Sequence, residues 1–222
     1  MTQTVYELKD TCFFNDDYSL PCFSLSINQG DVCKIVSDND ISAEFFLRGL
    51  ATLINVRGHL FFNGNEYDPL EYKELIWLKR KFAYLGPMCS LLSNRNILDN
   101  IFLFKLWEEN KIRITPDDDF MAEWKRIGKK EDLYKRPEHV TEDIVGAAYI
   151  LKEFLKYPEI VMLERPYLFT KGRLGGLLFE KIEEVFKTRI PVVFYSTTDF
   201  IPESRITHYI EINEDEIIKK AR

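Results

Sequence analysis

The segment from Lys34 to Leu53 (KIVSDNDISAEFFLRGLATL) constrains the fold of this chain more than any other segment. It opens with a short apolar stretch typical of a buried strand and closes with a longer run typical of a helix. The residues between them, Ser-Asp-Asn-Asp, are common helix N-caps, and their carboxylates suit the positive end of a helix. The pattern predicts a strand, a tight turn and a helix, which is the building unit of an α/β domain.

A strand, turn and helix of this kind hold phosphate when the turn reads G-x-x-x-x-G-K-[ST]. The aligned residues here are Ser37, Asp38, Asn39, Asp40, Ser42, Ala43 and Glu44. Ser37 and Ser42 replace the glycines, Ala43 replaces the lysine that reaches the phosphates, and Glu44 replaces the hydroxyl that holds Mg²⁺. Each like-charge pair would cost roughly 3 kcal/mol at ~5 Å and an effective dielectric of ~20. We therefore predict no nucleotide cofactor and no metal at this loop.

The remaining segments resemble the motifs of ATP-binding cassette (ABC) transporter ATPases, in the order of that family. The segment FAYLGPMCSLLSNRNILDNIFLF resembles the Q-loop region, with Pro87 at the position of the family's glutamine. Ile97, Asn100 and Ile101 keep the helix that follows. The segment HVTEDIVGAAYILKEFLKYPEIVMLERP resembles the signature helix and the Walker B strand. The signature turn corresponds to Val140, Thr141, Glu142, Asp143 and Ile144, where acidic residues replace both glycines.

The strand EIVMLERP is a continuous apolar run, as expected of a strand buried on both faces. By resemblance, Glu164 stands at the Walker B aspartate and Arg165 at the catalytic glutamate, although a guanidinium cannot accept a proton. Thr198 stands at the switch histidine. Glu164 and Arg165 could also simply pair with neighbours at a strand end. We expect Arg165 to pair with the loop acids Asp38, Asp40 or Glu44.

The N-terminal segment resembles the antiparallel subdomain that carries the family's adenine-stacking aromatic. Phe13 and Phe14 are candidates for that position, and core packing is the alternative. The predicted fold is therefore α/β, a P-loop NTPase-like ABC nucleotide-binding domain with an antiparallel β subdomain and an α-helical insert. We predict a single domain over residues 1–222, with a core of about 1–86 and 155–222 and an insert of about 87–154.

The net charge of −6 disfavours nucleic acid as a partner. No apolar run approaches the roughly 20 residues that span a bilayer, and the N-terminus does not resemble a signal peptide. We expect a cytoplasmic chain that is peripheral on the inner face of a membrane through a partner. Because they form no C-x-x-C pair, the four cysteines are predicted to be reduced core residues: Cys12, Cys22, Cys33 and Cys89.

The resemblance implies a catalytically inactive subunit that docks on a membrane permease through the groove between Q-loop and helical insert. It implies pairing as a homodimer or with an ABC ATPase-like partner. A soluble scaffold or regulator without a transporter and an atypical ATPase remain as alternatives. Within the family, LKRKFAYLGPMCSLLSNRNILDNIFL is most similar to ATPases of MCE-type (Mla-like) lipid transporters.

Overall fold

The computed structural model describes residues 3–222, which form ten strands and seven α-helices. The strands are β1 (Thr4–Phe14), β2 (Phe23–Asn28), β3 (Val32–Ser37), β4 (Asn55–Phe62), β5 (Asn65–Tyr67), β6 (Phe82–Leu85), β7 (Ile160–Glu164), β8 (Val192–Tyr195), β9 (His208–Ile212) and β10 (Ile217–Ala221). The helices are α1 (Asp40–Leu50), α2 (Tyr72–Arg80), α3 (Ile97–Ile101), α4 (Leu103–Glu108), α5 (Asp118–Ile127), α6 (Glu142–Phe154) and α7 (Arg173–Lys187).

The strands form two sheets. An antiparallel sheet has the order β2-β1-β4-β5, and a six-stranded sheet has the order β10-β9-β3-β8-β7-β6. In the larger sheet β9, β3, β8, β7 and β6 are parallel, whereas β10 returns antiparallel to β9 and forms a C-terminal hairpin with it. The carboxyl ends of β3, β7 and β8 therefore meet at one edge, where α/β proteins build their sites.

Alternation along the central strands divides the apolar core into two layers. On β7, Ile160 and Met162 pack with α1 and the antiparallel sheet, while Val161 and Leu163 pack with helices α3, α5, α6 and α7. A strand covered on both faces is mostly apolar along its length, which is why the residues from Ile160 to Leu163 form a continuous apolar run before Glu164. The α/β fold with an antiparallel subdomain is thus confirmed.

Helices α3 to α6 follow β6 and precede β7, within the stretch predicted to be the helical insert. An apolar stripe lies on α5, where Phe120 and Trp124 are buried and Ile127 packs against the same core. The Trp124 indole donates a 2.9 Å hydrogen bond to the Lys129 carbonyl. The stripe therefore serves internal packing. Among the described residues, no helix combines the length and apolarity needed to cross a bilayer.

The cysteine prediction was wrong for one pair, since Cys12 and Cys22 form a disulfide. Cys12 lies in β1, and Cys22 directly precedes β2. The antiparallel register that pairs Thr11 with Phe23 places the two cysteines opposite each other, with 4.3 Å between their Cα atoms. Cys33 and Cys89 are free thiols. Burial raises the pKa of Cys33 to about 12 and that of Cys89 to about 11.

Phe13 is a core residue and not an adenine-stacking one. Its ring is fully buried against Phe23 and Phe46. It also lies so close to α1 that a Cβ at Gly49 would come within 2.2 Å of the ring, so only glycine fits there. Phe14 is only partly buried at the end of β1. The core-packing alternative is therefore the correct one for Phe13.

Truncating the Phe13 ring should leave a cavity between β1 and α1. We expect Phe13→Ala to lower the free energy of unfolding by about 3–5 kcal/mol, the usual range for a buried Phe. Chemical denaturation measures this change, and Phe14→Ala is the matched control with a smaller expected loss. An equal or larger loss for Phe14→Ala would contradict this assignment of the core.

Candidate functional site

In the turn between β3 and α1, side chains of the turn accept hydrogen bonds from its own backbone N–H groups. Asn39 is the N-cap of α1, and its side chain accepts a 2.9 Å hydrogen bond from the backbone N–H of Ile41. The Ser37 hydroxyl accepts from the backbone N–H of Asn39 at 3.2 Å. Side chains thus take amide donors that the glycine-rich version of this turn offers to phosphate.

Glu164, at the end of β7, is fully buried and held by two side chains. The Arg48 guanidinium donates to both of its carboxylate oxygens, at 2.5 Å from Nη2 and 3.0 Å from Nε. The Tyr84 hydroxyl donates a further hydrogen bond to Glu164. The bond to Glu164 is the main reason that the pKa of Arg48 is raised. This bidentate contact is the strongest form of an Arg–carboxylate pair.

Arg48 was missed from the sequence. Its Nη2 also lies 3.2 Å from Glu44, one helical turn earlier on α1, so the guanidinium bridges the two carboxylates. The four-residue spacing of Glu44 and Arg48 was a usable signal, because residues four apart share a helix face. The contact with Glu164, 116 residues away, left no such signal.

Arg165 lies directly after Glu164 and has a left-handed backbone, with φ 50° and ψ 56°. Its guanidinium forms an ion pair with Glu44 and lies 3.9 Å from Asp40. The predicted pairing is therefore confirmed for Glu44 and Asp40, but Asp38 is not one of these partners. The Tyr195 hydroxyl donates to the other oxygen of Asp40, and burial together with this bond raises the pKa of Tyr195.

These contacts define the acid–arginine cluster, which consists of Asp40, Glu44, Arg48, Glu164 and Arg165. Three carboxylates and two guanidiniums leave it with one net negative charge when all are ionised. The Glu44 and Glu164 oxygens that could hold Mg²⁺ are already paired with guanidinium groups, one Asp40 oxygen accepts from Tyr195, and a triphosphate would meet carboxylates. The residues present do not fit a magnesium nucleotide.

A pocket of 590 Å³ lies beside the turn, and its lining includes Tyr18, Ser37, Asp38, Asn39 and Ser42. Neither Phe13 nor Phe14 lines it. The aromatic residue there is Tyr18, whose hydroxyl lies 2.7 Å from the Ser42 hydroxyl and whose ring packs edge-on against Phe45. Tyr18 was missed because it lies in the polar loop between β1 and β2.

The other predicted positions lie outside the acid–arginine cluster. Pro87 is exposed in a turn that Cys89 closes, where the Gly86 amide donates to the Cys89 sulfur at 3.4 Å. Thr198 is exposed and bonds with Ser196. The signature positions span the start of α6: Val140 is half-buried, Thr141 is the N-cap, Glu142 and Asp143 are exposed in the first turn, and Ile144 is buried.

A groove of 310 Å³ runs beneath the turn that holds Pro87. One side of the groove is formed by residues that follow α1 and by the α2–β6 segment. The other side is formed by α6. Its lining includes three lysines and one glutamate: Lys79, Lys152, Lys156 and Glu153. Met88 and Tyr149 supply apolar surface. We call this feature the basic groove.

Comparison with known structures shows the class of fold. The chain matches the ATP-binding cassette MJ0796 bound to ADP and Pi with a TM-score of 0.74 and 14% identity, over 97% of this chain and 98% of that one. The ATP-binding subunit of an ABC transporter matches with a TM-score of 0.75 and 14% identity, over 98% and 90%.

A third match is cbiO1 from Clostridium perfringens, described as part of the ABC transporter complex cbiONQ. Its TM-score is 0.65 at 14% identity, over 99% of this chain and 89% of that one. No family model matches the sequence, and no curated protein matches it. The chain thus has the fold of an ABC nucleotide-binding domain over nearly its whole length.

Reversing the charge of Arg165 tests the acid–arginine cluster. Arg165→Glu would add a fourth carboxylate to the cluster and place it next to Glu44. We expect a loss of about 2 kcal/mol or more in the free energy of unfolding. The substitution also restores the carboxylate of the family's catalytic position. We expect no ATP hydrolysis from this variant, because Ala43 stands at the position of the family's lysine and Glu44 at the position of its hydroxyl.

The matched control is Arg126→Glu, which breaks an exposed pair with Glu180 on the surface. Exposed pairs contribute at most about 1 kcal/mol, so this variant should melt close to the parent. If Arg165→Glu is as stable as Arg126→Glu, the ion pair with Glu44 does not stabilise the fold.

Proposed function

We propose that this chain is a catalytically inactive ABC ATPase-like subunit that docks on a membrane permease as a structural or regulatory component. The observation that carries the proposal is the guanidinium of Arg48, which lies between Glu44 and Glu164. By resemblance, these are the two positions from which an active ABC ATPase holds Mg²⁺. An internal cation therefore supplies the positive charge that the metal would otherwise bring.

Loss of catalysis extends beyond one residue. Five positions that act on one γ-phosphate in the family have changed in chemical type: Ala43, Glu44, Pro87, Arg165 and Thr198. An atypical ATPase would have to replace all of these functions. The structure retains the scaffold around them, and this supports a role in assembly.

The basic groove is the site we propose for the permease. Three lysines against one glutamate favour an acidic cytoplasmic segment, and Met88 and Tyr149 can pack against apolar side chains within it. A lipid transporter of the MCE type is the subfamily that the segment Leu78–Leu103 supports. A homodimer or an ABC ATPase-like partner would complete the assembly.

We place the chain on the cytoplasmic face of the membrane, because the family's ATPases act there. The Cys12–Cys22 bond is the observation against this placement, since disulfides are rare in reducing compartments. Thiol labelling of the protein in intact cells distinguishes the reduced Cys12 and Cys22 thiols from the disulfide. Blocked Cys12 and Cys22 in freshly lysed cells would argue for an oxidising compartment.

The purified chain should not bind Mg-ATP. A ligand at a hundredfold excess over its Kd would stabilise the folded state by about 2.7 kcal/mol and raise the melting temperature. We expect no shift with millimolar Mg-ATP relative to sulfate at the same ionic strength. A shift specific to Mg-ATP would contradict the proposal and favour the atypical ATPase.

Charge reversal in the basic groove should release the permease. The double variant Lys79→Glu, Lys152→Glu is expected to lose a membrane-spanning partner that copurifies with the parent in detergent. The matched control is Lys125→Glu, Lys187→Glu, which changes two exposed lysines on α5 and α7 and alters the net charge equally.

Mass spectrometry identifies the copurified protein in each case. Retention of the partner by the groove variant would show that docking uses another surface. Recovery of the parent chain without any membrane protein would support the soluble scaffold instead.

A further inference from the structure

Three side chains with metal-binding atoms converge at the amino-terminal ends of strands β3 and β9, away from the acid–arginine cluster. They are Asp31 before β3, Cys33 in β3 and His208 at the start of β9. One donor atom from each, a carboxylate oxygen, the thiol sulfur and a ring nitrogen, lies within 4.8 Å of the other two.

The sheet itself brings these groups together. Cys33 and His208 are direct partners in the parallel pairing of β3 with β9, so their side chains project from the same face. Asp31 precedes Cys33 by two residues, and the period of an extended chain places it on that face as well. The β3–β9 pairing thus holds the backbones of Cys33 and His208 in position, and Asp31 directly precedes β3.

We propose that Asp31, Cys33 and His208 form a zinc-binding site. A thiolate, an imidazole and a carboxylate are typical zinc ligands, whereas Mg²⁺ and Ca²⁺ prefer oxygen alone. Bond lengths of about 2.0–2.3 Å to a tetrahedral zinc put donor atoms roughly 3.5 Å apart. His208 Nδ1 and Asp31 Oδ1 already lie 3.6 Å apart, so binding requires only local side-chain movement.

Access to the site is from the side of His208. Asp31 and Cys33 are buried, but a quarter of the His208 side chain is exposed. A metal can enter there and keep a water as its fourth ligand. When the sulfur binds, the S–H bond breaks and the proton leaves to the solvent, because zinc binds the thiolate.

Lys219 is the competing explanation for Asp31, since its ammonium pairs with Asp31 Oδ2 and donates to the Ser26 carbonyl at 2.7 Å. The two cations use different oxygens of the carboxylate, because Oδ1 is the atom that faces His208. Zinc would tie the β2–β3 turn to the C-terminal hairpin.

Cobalt(II) is the spectroscopic probe for this site, and the oxidised chain is used so that Cys12 and Cys22 stay joined. We expect one equivalent to bind at micromolar concentration with a sulfur-to-cobalt charge-transfer band, and zinc to displace it and raise the melting temperature. Cys33→Ala should lose the band, and His208→Gln should weaken binding.

The control variants are Cys89→Ala, at the other free thiol, and His59→Gln, at an exposed histidine. Both should bind cobalt as the parent does. Absence of the band in the parent, or an equal band in Cys33→Ala, would overturn the proposal. If Cys33→Ala does not fold, undiminished cobalt affinity in His208→Gln would overturn it.

Discussion

The contact between Arg48 and Glu164 is the interaction on which the rest of the site depends. Glu164 is fully buried at the end of a central strand, where an unpaired carboxylate would be very costly. Arg48 neutralises it from α1 and thereby fixes the helix against the sheet. Because the Arg48 guanidinium lies between Glu164 and Glu44, a second carboxylate at Glu44 is tolerated. Arg165 pairs with Glu44 and balances its negative charge. The cluster is a set of mutually dependent charges.

This dependence bears on assembly. In the family, two chains pair head to tail, and each site combines one chain's P-loop with the other's signature turn. This chain lacks the lysine in its own loop and carries Glu142 and Asp143 in the signature turn. A catalytically active ATPase paired with this chain would therefore form no complete ATP site, neither with its own P-loop nor with its own signature turn. Under the proposed function, the chain would be a static cap beneath a permease, or the complex would take its energy from elsewhere.

Local patterns in the sequence were enough to predict the strand–turn–helix unit and the buried strand at Glu164, because apolar runs and N-cap chemistry act over a few residues. The motif order also predicted that Arg165 pairs with an acid of the β3–α1 loop, but it did not single out Glu44 or Asp40 over Asp38. The Cys12–Cys22 bond was missed because it depends on the register of β1 with β2 across a polar loop. That same loop hid Tyr18.

Arg48 was missed for a related reason. Its decisive partner is 116 residues away, and the motif comparison considered only positions that carry chemistry in active relatives. A compensating residue has no counterpart in such a motif. Residues that could replace a ligand's charge must therefore be sought among the spatial neighbours of the positions that differ from the motif.

A double-mutant cycle on Arg48 and Glu164 measures how strongly the two charges depend on each other for stability. Each single change, Arg48→Met or Glu164→Leu, leaves a charge without its main partner, and about 3–5 kcal/mol of stability should be lost for a buried pair. The double variant removes both charges and replaces them with apolar groups, so much of that loss should be recovered. We expect strong coupling between the two substitutions in the free energies of unfolding. Additive losses in the double variant would show that the two residues act independently and would contradict this expectation.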